Sequence, residues 1–529
     1  MLRCVSRSAP LRSLVLAGSL LATALAGCAI GPSERPAVAV RDAPLPPGPL
    51  TTTVPSPAPL PPLGQPDQPG IDFTDCTDKT RHRLGAAASR AELTYQCGSF
   101  PVPLSPDQPR GRRPSAVNDI ALLRVGTGVP LVIVGDVAGE PGQLLAARLA
   151  NQLPPQLLST FALIGMDRRG TGGSDGIRCV PDEVRAQLVG IDPGGQEPAK
   201  SVLDAAKEAV QRCVQEIDEK LTLIDSLRTA SDLERLRQQL RTERLNAIGV
   251  GDGSRVVAAY LETFTETAGR IVLDGAPDPI LDTITTGQDQ AAAAEVAFDA
   301  FATSCAAGPD CPLGAEPRAA VQALAGQLRG QPLVTRGGLR VDAGIMYTAL
   351  LIGLADQQRW PALVEAMRAA RAGDPEGLAA LVKPLLEFED GQPARLDAAL
   401  LTTCNDTTTR VPLDRAEQLA DDWRTRSPLF GPVFALHLLA CGAYPVPTTT
   451  VPAPRAPDTP PVLLLGAEGD SVTPLTGTRH MADELAGGVL VTWQGHGHAV
   501  FPRTPCVTSL VQRFLVDGQI PRDGTICPP

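Results

Sequence analysis

The chain has 529 residues, enough to bury a large core and more than one average domain needs. Its apolar share of 43% and charged share of 20% are globular values and exclude a predominantly disordered chain. A net charge of -11 gives no general attraction to nucleic acid or anionic lipid, so no nucleic-acid partner is expected.

Residues 1–27 read as a lipoprotein signal peptide, whose loss with Arg3, Arg7 and Arg12 takes the charge to -14. Those arginines precede an apolar run, Ser13 to Ala26, too short for a free-standing membrane span. It ends in Leu25-Ala26-Gly27-Cys28, which resembles a lipobox, so Cys28 is expected to carry the lipid that anchors an exported protein. Residues 28–70 are rich in Pro, Ser, Thr and Gly and are expected to form an extended linker.

From residue 71 the pattern is that of an α/β fold. Short apolar runs at Leu131–Val134, Phe161–Ile164, Leu245–Ile248 and Arg270–Leu273 read as buried parallel strands. Helical stretches such as Gly142–Leu153 and Ser231–Arg241 separate them, so 71–280 is the first part of a mostly parallel core. Residues 281–455 read as an inserted helical lid, with amphipathic helices at Gln290–Thr303, Ala315–Leu328, Ala343–Leu354 and Trp360–Ala372. Strand patterns resume at Val462–Leu465 and Val489–Thr492, so 456–529 completes the core. Such an insertion would cover the carboxyl edge of the sheet, where ligands bind.

Of 12 cysteines, Cys4 and Cys28 belong to the export segment, and the remaining even number suits an oxidising compartment. Chain order suggests the pairs Cys76–Cys97, Cys179–Cys213, Cys305–Cys311, Cys404–Cys441 and Cys506–Cys527. No C-x-x-C pair is present, so no metal is expected, and no organic cofactor is implied.

Three motifs carry chemistry. Gly249-Val-Gly-Asp-Gly253 lies between a strand and a helix, as a G-x-S-x-G nucleophile elbow does, but its centre is Gly251. Leu465-Gly-Ala-Glu-Gly-Asp-Ser-Val-Thr-Pro474 supplies Asp470, and Gln494-Gly-His-Gly-His-Ala499 supplies His498. Elbow, acid and histidine follow the chain order of α/β-hydrolases.

The chain resembles the tripeptidyl-aminopeptidase-like α/β-hydrolases (peptidase S33-like) of secreted actinobacterial proteins, from about Cys76 to Cys527. The resemblance rests on Asp167-Arg-Arg-Gly-Thr-Gly-Gly-Ser174, Asp232–Arg237, Tyr260, Phe264 and Arg270–Gly275. It extends to Trp360-Pro361, Cys404-Asn-Asp406 and Asp470-Ser-Val-Thr-Pro474. It implies an α/β-hydrolase fold with an inserted helical lid, and it places the family's serine at Gly251. Glycine has no nucleophilic atom.

The substitutes nearby are poorly placed. Asp252 is expected to complement the positive end of the following helix, and Ser254 to be a first-turn polar residue. The family's Gly-Gly-Pro-Gly oxyanion loop is replaced by Gly135-Asp-Val-Ala-Gly-Glu-Pro-Gly142. Asp136, Val137 and Asp252 would then border the oxyanion site, where negative charge is unwelcome. His496 is expected to be a loop histidine.

These residues point to an impaired catalyst that binds a peptide or small molecule in the lidded cleft, a cationic one given Asp136, Asp252 and Asp470. The alternative is an active aminopeptidase or esterase that uses His498 and Asp470 with water or an unconventional nucleophile. The expectation is specific: the elbow presents a bare α-carbon to the imidazole.

Overall fold

The apolar runs expected as strands all pair in one sheet. The computed structural model describes residues 59–64, 69–85, 90–105, 117–280, 282–308, 311–389 and 391–529. The signal peptide, Cys28 and most of the linker lie outside them. In chain order the strands are β1 (Thr74–Asp75), β2 (Tyr95–Pro103), β3 (Val117–Val125), β4 (Val129–Val134), β5 (Phe161–Met166), β6 (Leu245–Val250) and β7 (Ala268–Asp274). They continue with β8 (Leu333–Val334), β9 (Arg340–Val341), β10 (Val462–Gly469), β11 (Gly488–His496) and β12 (Thr525–Cys527).

The main sheet runs β1-β2-β3-β5-β4-β6-β7-β10-β11-β12, and β8 and β9 form a separate ribbon. Strands β1, β2, β3 and β5 pair antiparallel, and from β5 through β4 to β12 every pairing is parallel. Every residue of β5, β6 and β7 is buried. That suits parallel strands covered by helices on both faces.

One face packs the helices Ser226–Gln239, Gly253–Thr263 and Leu475–Glu484 through Leu233, Leu236, Val257, Tyr260 and Met481. The other packs Gly142–Gln152 and Pro505–Gln512 through Ala146, Leu149, Val507 and Val511. The alternation expected for 71–280 and 456–529 therefore builds the sandwich, with right-handed crossovers its usual solution.

The helical layer is wider than the expected 281–455. Ile177, Val184, Leu188, Ala206 and Cys213 share one core with Phe298, Phe301, Leu350, Trp360 and Phe430. The helices Asp182–Val189 and Pro198–Ile217 thus belong with the lid rather than with the first part of the sheet. Asp397 joins the two segments: its fully buried carboxylate accepts from Cys179 N (2.9 Å), Val180 N (3.0 Å) and Arg185 Nε (2.8 Å). Disulfide bonds join Cys76 to Cys97, Cys179 to Cys213, Cys305 to Cys311, Cys404 to Cys441 and Cys506 to Cys527.

Candidate active site

Strand register determines which residues meet. Val134 of β4 pairs with Gly249 of β6, so two residues past that pair Asp136 faces Gly251. Val250 pairs with Asp274 of β7, Leu465 of β10 pairs with Asp274, and Gly469 pairs with His496 of β11. Parallel pairing puts all these carboxyl ends on one edge. Asp136, Gly251, Asp470 and His498 converge there.

Gly251 takes φ +56°, the left-handed conformation that a strand-to-helix elbow demands, and its N–H donates to Asp274 O at 2.8 Å. Gly249 is pressed against the helix, since a Cβ there would lie 2.7 Å from Ser254 Cα. At Gly251 the obstacle is different. A Cβ would lie 2.1 and 2.2 Å from the two carboxylate oxygens of Asp136 and 2.3 Å from its Cγ. Gly251 does lack a nucleophile, but the space it leaves is filled. The expectation of a bare α-carbon facing the imidazole is corrected: the Asp136 carboxylate projects there and touches the His498 ring, so an impaired catalyst can no longer be argued from an empty elbow.

His498 Nε2 lies 2.7 Å from Asp136 Oδ2, and its Nδ1 lies 3.0 Å from Asp470 Oδ2. The ring is clamped between two carboxylates. Burial pushes the imidazole pKa down, but Asp470 and Asp136 together lift it well above its ordinary value. Burial pushes Asp136 up, and His498 outweighs this and holds it below its usual value. Carboxylates on both ring nitrogens favour the imidazolium, and neither nitrogen is left free to act as a base.

The oxyanion donors are committed as well. Asp252 N–H, which follows the elbow centre, donates to Asp136 Oδ1 at 2.7 Å. Val137 N–H donates to Asp252 Oδ1 at 2.8 Å. Asp252 also receives Arg168 Nη1 at 2.8 and 2.9 Å, so its side chain turns toward the β4 loop. Asp252 stands at the N-cap of the helix Gly253–Thr263, as expected for a charge at its positive end, but its side chain makes no capping hydrogen bond. Burial raises Asp252 to about 6; the Arg168 guanidinium opposes this, and the Asp136 carboxylate adds to it. Ser254 is fully buried and donates to Gly249 O at 2.9 Å, so its hydroxyl closes the turn and does not face His498.

Neighbouring groups hold this arrangement. Asp470 Oδ1 accepts from Val472 N and Thr473 N, both at 2.8 Å, and Thr473 Oγ1 donates to Asp470 Oδ2 at 2.9 Å. Thr473 also lies 3.1 Å from His498 Nδ1, a role that nothing but its place in the Asp470–Pro474 motif suggested. Asp274 anchors the histidine loop through Val500 N (2.7 Å) and Phe501 N (2.8 Å). The lid reaches the same loop: His498 N donates to Ala355 O at 2.8 Å, and Arg503 links His498 O to Asp356 at 2.7 and 2.8 Å. His496 ends β11 rather than sitting in a loop; its ring centroid lies 5.7 Å from that of Trp360, and burial lowers its pKa.

Beside Asp136 and Val137 a cavity of about 240 Å³ opens between the sheet edge and the lid. Its lining includes Arg83, Glu140, Arg148, Arg168, Gln392 and Arg395. The acids expected to attract a cationic ligand are already engaged by cations of the chain. Asp136 and Asp470 hold His498, and Asp252 holds Arg168.

Residues 427–527 match the family described as TAP-like protein. The chain is 27% identical over 504 residues to serine protease Hip1 of Mycobacterium tuberculosis, covering 88% of this chain and 92% of the relative. Carboxylesterase B of the same organism is 29% identical over 468 residues, covering 82% and 87%. Tripeptidyl aminopeptidase of Streptomyces lividans is 26% identical over 484 residues, covering 87% of each chain.

Proposed function

We propose that this chain, an α/β-hydrolase-fold protein of the tripeptidyl-aminopeptidase-like group, is an exported, lipid-anchored binding protein in which serine acyl transfer is shut off from within. One observation carries this reading: Asp136 stands where the serine would be, with its carboxylate on both the imidazole and an oxyanion N–H. Acyl transfer needs a nucleophile, a free base and free oxyanion donors. Gly251 withholds the first, and the clamp on His498 and the Asp136–Asp252–Arg168 chain occupy the others. A fluorophosphonate probe should leave the purified protein unlabelled, and aminoacyl and acyl esters should turn over no faster than with His498→Ala. Stoichiometric labelling would overturn the reading.

Membrane attachment rests on Leu25–Cys28 and the linker, and no helix of the described residues is long and apolar enough to cross a membrane. Cys28→Ala should move the protein from the membrane fraction to the medium; retention would remove the anchor from the proposal.

The same contact favours a second reading, in which Asp136 is itself the nucleophile. The carboxylate would attack a saturated carbon, and the leaving group would depart with the bonding electrons and take the His498 proton. The neutral imidazole would then deprotonate a water, whose oxygen adds to the Asp136 ester carbon. Alcohol release restores the carboxylate and the imidazolium. Single turnover of an epoxide, whose alkoxide takes that proton, in ¹⁸O-water should then place label in the Asp136 peptide, and an unlabelled peptide refutes this reading.

A further inference from the structure

We infer that the cavity beside Asp136 is an anion site that takes the carboxylate of a small organic acid on Arg395 and Arg83. The inference rests on the binding reading above and names the ligand's chemistry. Four arginines line the cavity, and two are already paired: Arg148 with Glu140 at 2.6 Å and Arg168 with Asp252 at 2.8 Å. Arg83 and Arg395 have no hydrogen-bond or ion-pair partner among the described residues, although both are half-buried.

Like charges crowd Arg395. Burial lowers its pKa most, Glu140 opposes this, and the guanidinium groups of Arg359, Arg148 and Arg83 each add to the lowering. Glu140 is committed to Arg148, and Arg359 has its own partner, Asp356, at 3.4 Å. Glu387 and Glu389 also line the cavity, but they lie 3.9 and 2.7 Å from Lys383 and are about half exposed. Asp167 acts on Arg83 and Glu140 on Arg395 only through space, without a hydrogen bond. Both guanidinium groups therefore keep donors for an anion, and an arginine fork matches a planar carboxylate.

The wall offers more donors. The helix Arg395–Asn405 begins at the cavity, and its N-cap residue, Ala394, supplies no side-chain acceptor. Its first-turn N–H groups therefore add positive potential at the same place. The buried Gln392 Oε1 has no hydrogen-bond partner among the described residues and suits a ligand N–H. Asp136 repels the anionic end of a ligand, which fixes its orientation: carboxylate toward Arg83 and Arg395, neutral end toward Asp136. A cavity of about 240 Å³ limits the ligand to the scale of an acylated amino acid.

Calorimetric titration of the mature protein with N-acetylalanine, N-acetylalanine amide, succinate and inorganic phosphate tests this. The N-acetylalanine carboxylate should bind at least about tenfold more tightly than its amide. Arg395→Gln and Arg83→Gln should each weaken it by a similar factor, and Arg395→Lys less. Unchanged far-ultraviolet circular dichroism and melting profiles would show that the variants fold. Equal binding of acid and amide, phosphate binding more tightly than both carboxylates, unaltered affinity in Arg395→Gln, or no detectable carboxylate binding would each overturn the inference. Probe labelling is a separate measurement, so loss of the non-catalytic reading and loss of the anion site are distinguishable.

Discussion

Restoring serine at residue 251 should not by itself restore a serine hydrolase. A Cβ at Gly251 would lie 2.1–2.3 Å from Asp136, against a floor of 3.0 Å for real contacts, so the carboxylate must retreat by about 1 Å. That movement breaks the bond to Asp252 N (2.7 Å) and the bond to His498 Nε2 (2.7 Å). At roughly 1.5–3 kcal/mol for each charge-assisted bond, Gly251→Ser costs about 3–6 kcal/mol beyond the strain of a left-handed serine. The displaced acid also remains near the oxyanion site. Removing it changes the outcome. In Asp136→Gly with Gly251→Ser, a left-handed serine costs about 1–2 kcal/mol. The hydroxyl then faces an imidazole relieved of one carboxylate, and Asp252 N–H is free. Val137 N–H still serves Asp252 Oδ1, so the site is one donor short. Fluorophosphonate labelling of the double variant should be roughly 10²–10³ slower than that of an intact serine hydrolase, yet far faster than that of either single variant. Melting curves and labelling rates for the four proteins complete the cycle. Rapid labelling of Gly251→Ser alone, or a folded double variant that does not label, would refute the argument.

The clamp also predicts a pH dependence. His498 is raised above its unfolded value, so its stabilising contribution is complete below about pH 6.5 and fades as pH rises through the folded pKa. Asp136 is held below 3.8, so its contribution is present above 3.8 and is lost only as pH falls through the lower folded value. The stability gap between wild type and His498→Gln should be flat from about pH 5 to 6.5 and shrink above that in urea titrations; a gap that widens with pH would contradict the clamp. Arg169 and Asp232 form a bidentate pair at 2.7 and 2.8 Å with both side chains 1% exposed. Arg169→Ala should cost about 3–5 kcal/mol in urea unfolding by stranding the acid, whereas a loss under about 1 kcal/mol would discount the pair. Replacing both Cys404 and Cys441 with Ala should cost about 2–5 kcal/mol, measured as a lowered unfolding midpoint.

The parallel strands were legible because β4, β5, β6 and β7 are short, apolar and buried on both faces. The edge was less so. Strand β2 carries Gly98, Pro101 and Pro103, residues that argue against a strand unless it lies near an edge. The helices Asp182–Val189 and Pro198–Ile217 fall inside the segment 71–280 expected to be core, and only the apolar core they share with Phe298 and Trp360 assigns them to the lid.

The sequence by itself determined the fold class, and it made legible a glycine at the centre of the strand-to-helix turn and the acid and histidine that follow in order. Those features are written in local periodicity and in short motifs whose residues are neighbours in the chain. What occupies the serine's place was decided only by tertiary structure. Asp136 and Gly251 are far apart in sequence and meet because Val134 is in register with Gly249. The same holds for Arg168 on Asp252 and for Arg83 beside Arg395, since charge compensation depends on distance in space, and no spacing along the chain encodes it.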